Sequence, residues 1–160
     1  MSKPNIARAD SADSYDHEVR IQKAYAARLA ELREGEVLIE SSRRFDCCDL
    51  IADMATVDKT NTIRIWEFKI RADYKSLGQI ITYLALARYE EVIRCWRPLH
   101  PPKRLVGVLA AFDFQQEIVL ANVVMNCGIE FVTIPPFLRN AGDVPVSMPR
   151  PHAPVIPPLP

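Results

Sequence analysis

The run Trp66-Glu67-Phe68-Lys69 sets a carboxylate and an ammonium two residues apart at the end of a strand-like stretch, Thr62-Ile63-Arg64-Ile65-Trp66. Side chains alternate across a strand, so Glu67 and Lys69 share one face. An upstream run, Cys48-Asp49-Leu50-Ile51-Ala52, offers an aspartate. Two carboxylates with a lysine beside them can hold a divalent cation and orient a water, which suits attack on a phosphodiester. Mg²⁺ and Mn²⁺ are the hard cations that such oxygen ligands prefer.

The elements around these residues must bring them together. The segment Leu77-Gly78-Gln79-Ile80-Ile81-Thr82-Tyr83-Leu84-Ala85-Leu86-Ala87 reads as a helix, and Gln79 and Tyr83, four apart, share one of its faces. Asp58-Lys59-Thr60-Asn61 supplies a turn between two β-rich runs, so these runs form a hairpin. Facing residues in a hairpin have a constant sum of numbers. Centring the turn near Lys59 pairs Asp49 with Lys69 and Ile51 with Glu67, which puts Asp49, Glu67 and Lys69 on one face. Asp46 falls on the other face unless a bulge intervenes. Asp53 shares the parity of Asp49 but lies nearer the turn. Asp49 is therefore the expected partner of Glu67, and a change of turn register would alter that choice.

An aspartate strand, then a Glu-x-Lys strand, then a Gln-x-x-x-Tyr helix resembles the PD-(D/E)XK nuclease superfamily, specifically its RecB-like branch. The resemblance covers roughly residues 36 to 90. Cys48 stands where the family pattern often has proline. The resemblance implies a restriction-endonuclease-like α/β core and a metal held by Asp49, Glu67 and the carbonyl of Phe68. Lys69 would orient the attacking water or stabilise the charge of the phosphorane. Gln79 and Tyr83 would hold the DNA strand or the geometry of the site. Many members also place a glutamate early in the first helix, reaching the same metal. Glu18 occupies that place, though a glutamate also suits a helix N-terminus through the macrodipole. Glu40 is an alternative third acid, and His17 is either a neighbour of the site or a lone surface histidine.

With 160 residues, the chain is one domain by prior. Its 49% hydrophobic and 25% charged residues fit a globular protein. Zero formal net charge argues against a broad nonspecific coat of nucleic acid. A local basic groove remains available in Arg43, Arg44, Arg64, Lys69, Arg71 and Lys75. The cysteines, Cys47, Cys48, Cys95 and Cys127, form no Cys-x-x-Cys pair and give no support to an iron–sulfur cluster. They are expected to be reduced and mostly buried, as in a cytoplasmic protein. His17, His100 and His152 are too scattered for zinc. No run is long enough to span a bilayer.

The expected order is αβββαβαβ in a central mixed sheet. Residues 1–12 are expected to be loose and 13–134 to form the nuclease-like domain. The first helix runs from a cap at Asp13 or Ser14 to Glu34, with Gly35 as its stop. Strands follow at 37–39, 44–55 and 62–70, a helix at 73–94, a strand at 105–112, a helix at 114–126 capped by Gly128, and a strand at 129–134. The last β-α-β unit requires its strands to be parallel. Nine of the 13 prolines lie from Pro135 onward, so 135–160 reads as an extended tail, disordered or docked on its own domain or a partner.

Two functions fit. One is a metal-dependent deoxyribonuclease acting in DNA repair, recombination or the processing of phage and mobile-element DNA. Its partner is DNA, with no membrane, and a homodimer is one way to engage two strands. The other is a catalytically inactive binding module of the same fold inside a larger complex. Whether the substrate is single-stranded, double-stranded or branched, and whether cutting is exo or endo, is open at this level.

Overall fold

The computed structural model describes residues 6–92 and 104–140. Its elements are α1 (Ile6–Ala27), α2 (Leu29–Leu32), β1 (Glu36–Arg44), β2 (Ile51–Asp58), β3 (Thr62–Ala72), α3 (Tyr74–Val92), β4 (Arg104–Phe114), α4 (Gln116–Met125) and β5 (Ile129–Thr133). A 3-10 turn, Pro136–Leu138, follows β5. The five strands form one mixed sheet in the order β1-β2-β3-β4-β5. β1, β2 and β3 are antiparallel neighbours, whereas β3, β4 and β5 run parallel. This is the expected α/β architecture.

Period-2 alternation along β3 explains the two-sided core. Trp66 and Phe68 pack on one face against Ile21 and Tyr25 of α1. Ile63 and Ile65 pack on the other against Leu77, Ile80 and Leu84 of α3. The Tyr25 ring lies 5.6 Å from Trp66 and 5.3 Å from Phe68, which fixes α1 over the middle of β3. β4 is buried on both faces from Leu105 to Ala111, as befits a central parallel strand. At Gly107 an added Cβ would stand 2.8 Å from Ile129 Cδ1 and 3.0 Å from Ile80 Cγ1. Glycine there lets α3 lie close on the sheet.

Several boundaries differ from expectation. α1 begins by Ile6 rather than at Asp13, and it breaks at Arg28 (φ −114°, ψ 18°) before the short α2. β1 is nine residues long, through Arg44, because it pairs with the whole of β2. Residues 45–50 are therefore a connection and not the start of the second strand. Phe45 is buried in this connection against the Tyr83 ring, at 5.6 Å. Buried Glu90 of α3 pins it too, pairing with Arg43 at 2.6 Å and accepting the Asp46 N–H. α4 ends at the left-handed Asn126 (φ 49°), two residues before the expected cap, Gly128, which is left-handed as well (φ 70°). The residues after Pro135 begin in register with the fold, since Leu138 is buried beside α1. The rest of the Pro-rich tail, 141–160, lies outside the described residues, as do Cys95, His100 and His152. Among the described residues Cys47 is exposed and Cys48 and Cys127 are partly so, less buried than expected. No helix among the described residues is long and apolar enough to cross a membrane.

Candidate active site

The site forms where β2 and β3 part. Their ladder runs from Val57↔Ile63 to Met54↔Trp66 and stops there. Facing numbers sum to 120, so the residues that meet past the last pair are Asp53 and Glu67. Beyond the break the Phe68 N–H donates to the Asp53 carboxylate Oδ2 at 2.6 Å, where a continued ladder would offer a strand carbonyl. The neighbouring strand is distorted at the same level. Ser41↔Met54 and Arg43↔Ala52 place Ser42 across from Asp53, and Ser42 has φ 57°, a left-handed conformation uncommon for a residue with a side chain.

Asp49 is not part of this site. It lies outside β2, is fully exposed at 105%, and its nearest ion partner is Arg44 at 3.7 Å. Asp46 is exposed as well. The aspartate beside Glu67 is Asp53, preceded by Ala52 rather than by Cys48. The cause of the difference is the hairpin turn. Asn61 takes φ 62° and its N–H bonds the Asp58 carbonyl at 3.0 Å, so the loop is the three-residue type with a left-handed third residue. That loop centres on Thr60, shifting the facing sum by two and replacing Ile51 with Asp53 opposite Glu67. An asparagine three residues after Asp58 is a sequence signal for this loop.

Glu67, Lys69, Glu18 and Asp53 form one charged cluster. The Lys69 ammonium lies 2.7 Å from Glu67 Oε1 and 3.2 Å from Glu18 Oε2. Glu18 Oε1 accepts the Ile70 N–H at 3.4 Å. Glu67 is only 2% exposed, and its Oε2 is buried with no hydrogen-bond partner among the described residues. Burial, then the Asp53 charge beside it, pushes the Glu67 carboxyl up to about 8 against the pull of Lys69. Burial likewise raises Asp53 to about 6, opposed by the Phe68 N–H and Lys69. Burial alone would lower the Lys69 pKa, but Glu67 and Glu18 hold it above its usual value. Two carboxylates, Glu67 and Glu18, thus hold the ammonium, and the third, on Asp53, is held by the Phe68 N–H and feels the same charge.

Gln79 and Tyr83 are brought to this cluster by α3. The Gln79 amide donates to the Tyr83 hydroxyl at 2.7 Å. Tyr83 is 4% exposed, and its hydroxyl is raised first by burial, then lowered by Gln79 and raised by the Glu67 and Asp53 charges, which places it within their field. The start of α3 is set by a reciprocal cap, in which the Ser76 N–H bonds Asp73 Oδ1 at 3.0 Å and the Asp73 N–H bonds Ser76 Oγ at 3.3 Å. Glu40 pairs with Arg43 at 3.5 Å, and His17 bonds the Arg139 carbonyl at 2.8 Å; neither has a bond to the cluster. A residue that the sequence did not bring forward does reach it: Gln22 of α1, whose amide donates to the Asp53 carbonyl.

The donor set suits a hard divalent cation. Asp53 and Glu67 supply carboxylate oxygens, one of them buried and unpartnered, and Phe68, whose N–H holds Asp53, follows Glu67 directly and brings its own carbonyl. No three acids, histidines or cysteines among the described residues stand together as a ready-made metal cage. Lys69 spans the space between Glu67 and Glu18 instead.

No protein-family profile matches the chain. No curated protein is similar to it either. Solved structures do share its fold. A repair endonuclease from Pyrococcus abyssi is 21% identical with a TM-score of 0.58, covering 74% of this chain and 47% of that one. The EndoMS–dsDNA2 complex is 16% identical at TM-score 0.56, covering 74% and 45%. EndoMS in apo form is 18% identical at TM-score 0.53, covering 74% and 46%. The chain spans less than half the length of these structures, and at such identities the likeness establishes the fold.

Proposed function

We propose that this chain is a nuclease that hydrolyses DNA phosphodiester bonds with Mg²⁺ or Mn²⁺, and that it acts in DNA repair. The observation that carries the reading is Glu67: buried, facing Asp53 across the end of a broken strand pair, with one carboxylate oxygen unpartnered and Lys69 on the other. Burying two carboxylates with one lysine is costly for a fold that gains nothing from it. A metal site offsets that cost. Asp53, Glu67 and the Phe68 carbonyl would hold the ion, which when bound supplies a Lewis acid and a water of lowered pKa. Lys69 then presents its ammonium to the scissile phosphate, where negative charge grows in the transition state. Glu18 holds Lys69 in place, and the Gln79–Tyr83 pair closes the α3 side of the site. The named DNA complex and repair endonuclease among the fold relatives support DNA as substrate and repair as the setting. The RecB-like branch fits the Gln-x-x-x-Tyr helix.

One observation favours a second reading. Lys69 is engaged by two carboxylates at 2.7 and 3.2 Å, the arrangement of a closed structural ion pair. On that reading the chain binds DNA or a partner protein without cutting. Incubation with labelled linear, circular and branched DNA, each with Mg²⁺, Mn²⁺ or EDTA, separates the two. Metal-dependent cleavage of any substrate is expected. Binding without cleavage under every metal would establish the second reading.

A further inference from the structure

We propose that Gln22 is a positioning residue that fixes Asp53 in its working orientation. The inference rests on the reading of Asp53 as a metal ligand. The parting of β2 and β3 leaves backbone groups at the break without ladder partners, and side chains take three of them. The Phe68 N–H goes to Asp53 Oδ2. The Asp53 carbonyl goes to the Gln22 amide. Gln22 lies one turn after Glu18 on α1, so the two share a face and reach the two sides of the break together. Glu18 takes the Ile70 N–H and Lys69 on β3, while Gln22 takes the backbone of Asp53 on β2.

The surroundings make this grip specific. Gln22 is 6% exposed, between Ile21 and Tyr25, whose side chains anchor α1 on Trp66 and Phe68. A buried amide in an apolar contact needs a partner, and its partner here is the carbonyl of the residue whose carboxylate faces Glu67. With its carbonyl held by Gln22 and its Oδ2 held by Phe68 N–H, Asp53 has its backbone and one oxygen fixed, which leaves Oδ1 to approach a cation. Groups that orient a ligand in this way commonly change metal affinity by about 10- to 100-fold when removed.

The test is Mn²⁺ binding to the full chain, followed by electron paramagnetic resonance of the free ion, together with hydrogen exchange of the Phe68 amide in the metal-free protein. Gln22→Met keeps length and packing but removes the donor, and it is expected to weaken Mn²⁺ binding about 10-fold or more. It should also speed exchange at Phe68 without changing exchange at Ile65. Gln22→Leu serves if the first variant is too unstable to fold. Leu138→Ala loosens the same face of the sheet without touching Asp53, and it should alter neither readout. Wild-type Mn²⁺ affinity and Phe68 protection in Gln22→Met would overturn the proposal, as would equal losses in Leu138→Ala. If the wild type binds no Mn²⁺, the metal reading of the site fails, and the Phe68 amide alone decides whether Gln22 positions Asp53.

Discussion

β3 carries a charged cluster near each end, and the two obey opposite rules. Near its start, Arg64 bonds Asp58 at 2.8 Å and Glu130 at 3.0 Å, while Arg33 bonds Glu36 at 2.9 Å and Glu130 at 2.7 Å. Thr56 donates to Glu36 and itself accepts the Trp66 indole N–H at 2.8 Å. Each of the three carboxylates there holds a guanidinium nitrogen. Toward the far end, Glu18 and Glu67 share Lys69, Asp53 holds only a backbone N–H among the described residues, and a Glu67 oxygen is left over. The pKa directions follow. Burial pushes Asp58 and Glu130 up, yet hydrogen bonds from Thr60 and Arg64 hold the Asp58 carboxyl well below the usual range, and those from Arg64 and Arg33 lower Glu130. At the other end Asp53 and Glu67 stay high. A complete network is what structure requires. The incomplete one, in the same strand, is the end at which the proposed nuclease reading puts the cation.

Removing a carboxylate from the incomplete end should have the largest effect. Asp53→Asn and Glu67→Gln are each expected to abolish both Mn²⁺ binding, measured by calorimetry, and DNA cleavage. Asp49→Asn should change neither and should move stability by no more than about 0.5 kcal/mol, since its side chain is in solvent. Cleavage that survived Asp53→Asn but not Asp49→Asn would mean that Asp49 and not Asp53 serves the site.

Lys69→Ala comes next. The ammonium acts on charge that develops in the transition state, so kcat should fall about 10²- to 10³-fold with little change in DNA affinity. Mn²⁺ binding should persist, because the carboxylates remain. Full activity in this variant would mean that Lys69 belongs with the structural ion pairs and that the two ends of β3 are alike.

Much of this arrangement is legible in the residues, and the exceptions have definite causes. The alternation from Ile63 to Lys69 identifies β3 and its two faces, because one face is Trp66 and Phe68 and the other Ile63 and Ile65. Glu67 and Lys69 share a face by strand parity, and Gln79 meets Tyr83 by helix spacing, both of which are local. Asp53 required a long-range quantity, the register of the hairpin, and a turn centred one residue off moves the facing position by two. Asn61 held the answer through its left-handed conformation. Gln22 had no motif at all. Its role arises from where α1 crosses the break in the sheet, a packing angle set by Tyr25, Trp66 and Phe68 and not by any spacing along the chain.

At the complete end the consequences should be in stability alone. Arg64→Met leaves Asp58 and Glu130 without their shared guanidinium in a site where Arg64 is 16% exposed. Removing one partner of a mostly buried network costs about 3 kcal/mol. Urea unfolding should show that loss, with Mn²⁺ affinity unchanged. An equal loss of Mn²⁺ affinity would mean the two clusters are coupled along β3.

The smallest effect belongs to Asp58, and it carries a pH signature. Its Oδ1 accepts the Thr60 N–H at 2.8 Å, the Thr60 hydroxyl at 2.6 Å and the Thr62 N–H at 3.1 Å, while Oδ2 faces Arg64. These bonds favour the charged form, so the folded-state pKa lies below that of the unfolded chain, about 3.9. The sign is then fixed. The stabilisation is fully present above the unfolded pKa and is lost as pH falls through about 4 toward the folded value. Asp58→Asn keeps some of the turn bonds but not the charge, and it should cost about 1 kcal/mol at pH 7. Acid titration of unfolding free energy should show the gap between wild type and Asp58→Asn closing as pH drops below 4. A gap that stayed constant down to pH 2 would mean that Asp58 supports the Asn61 turn by shape and not by charge, and that the hairpin register, with Asp53 opposite Glu67, does not depend on the complete network.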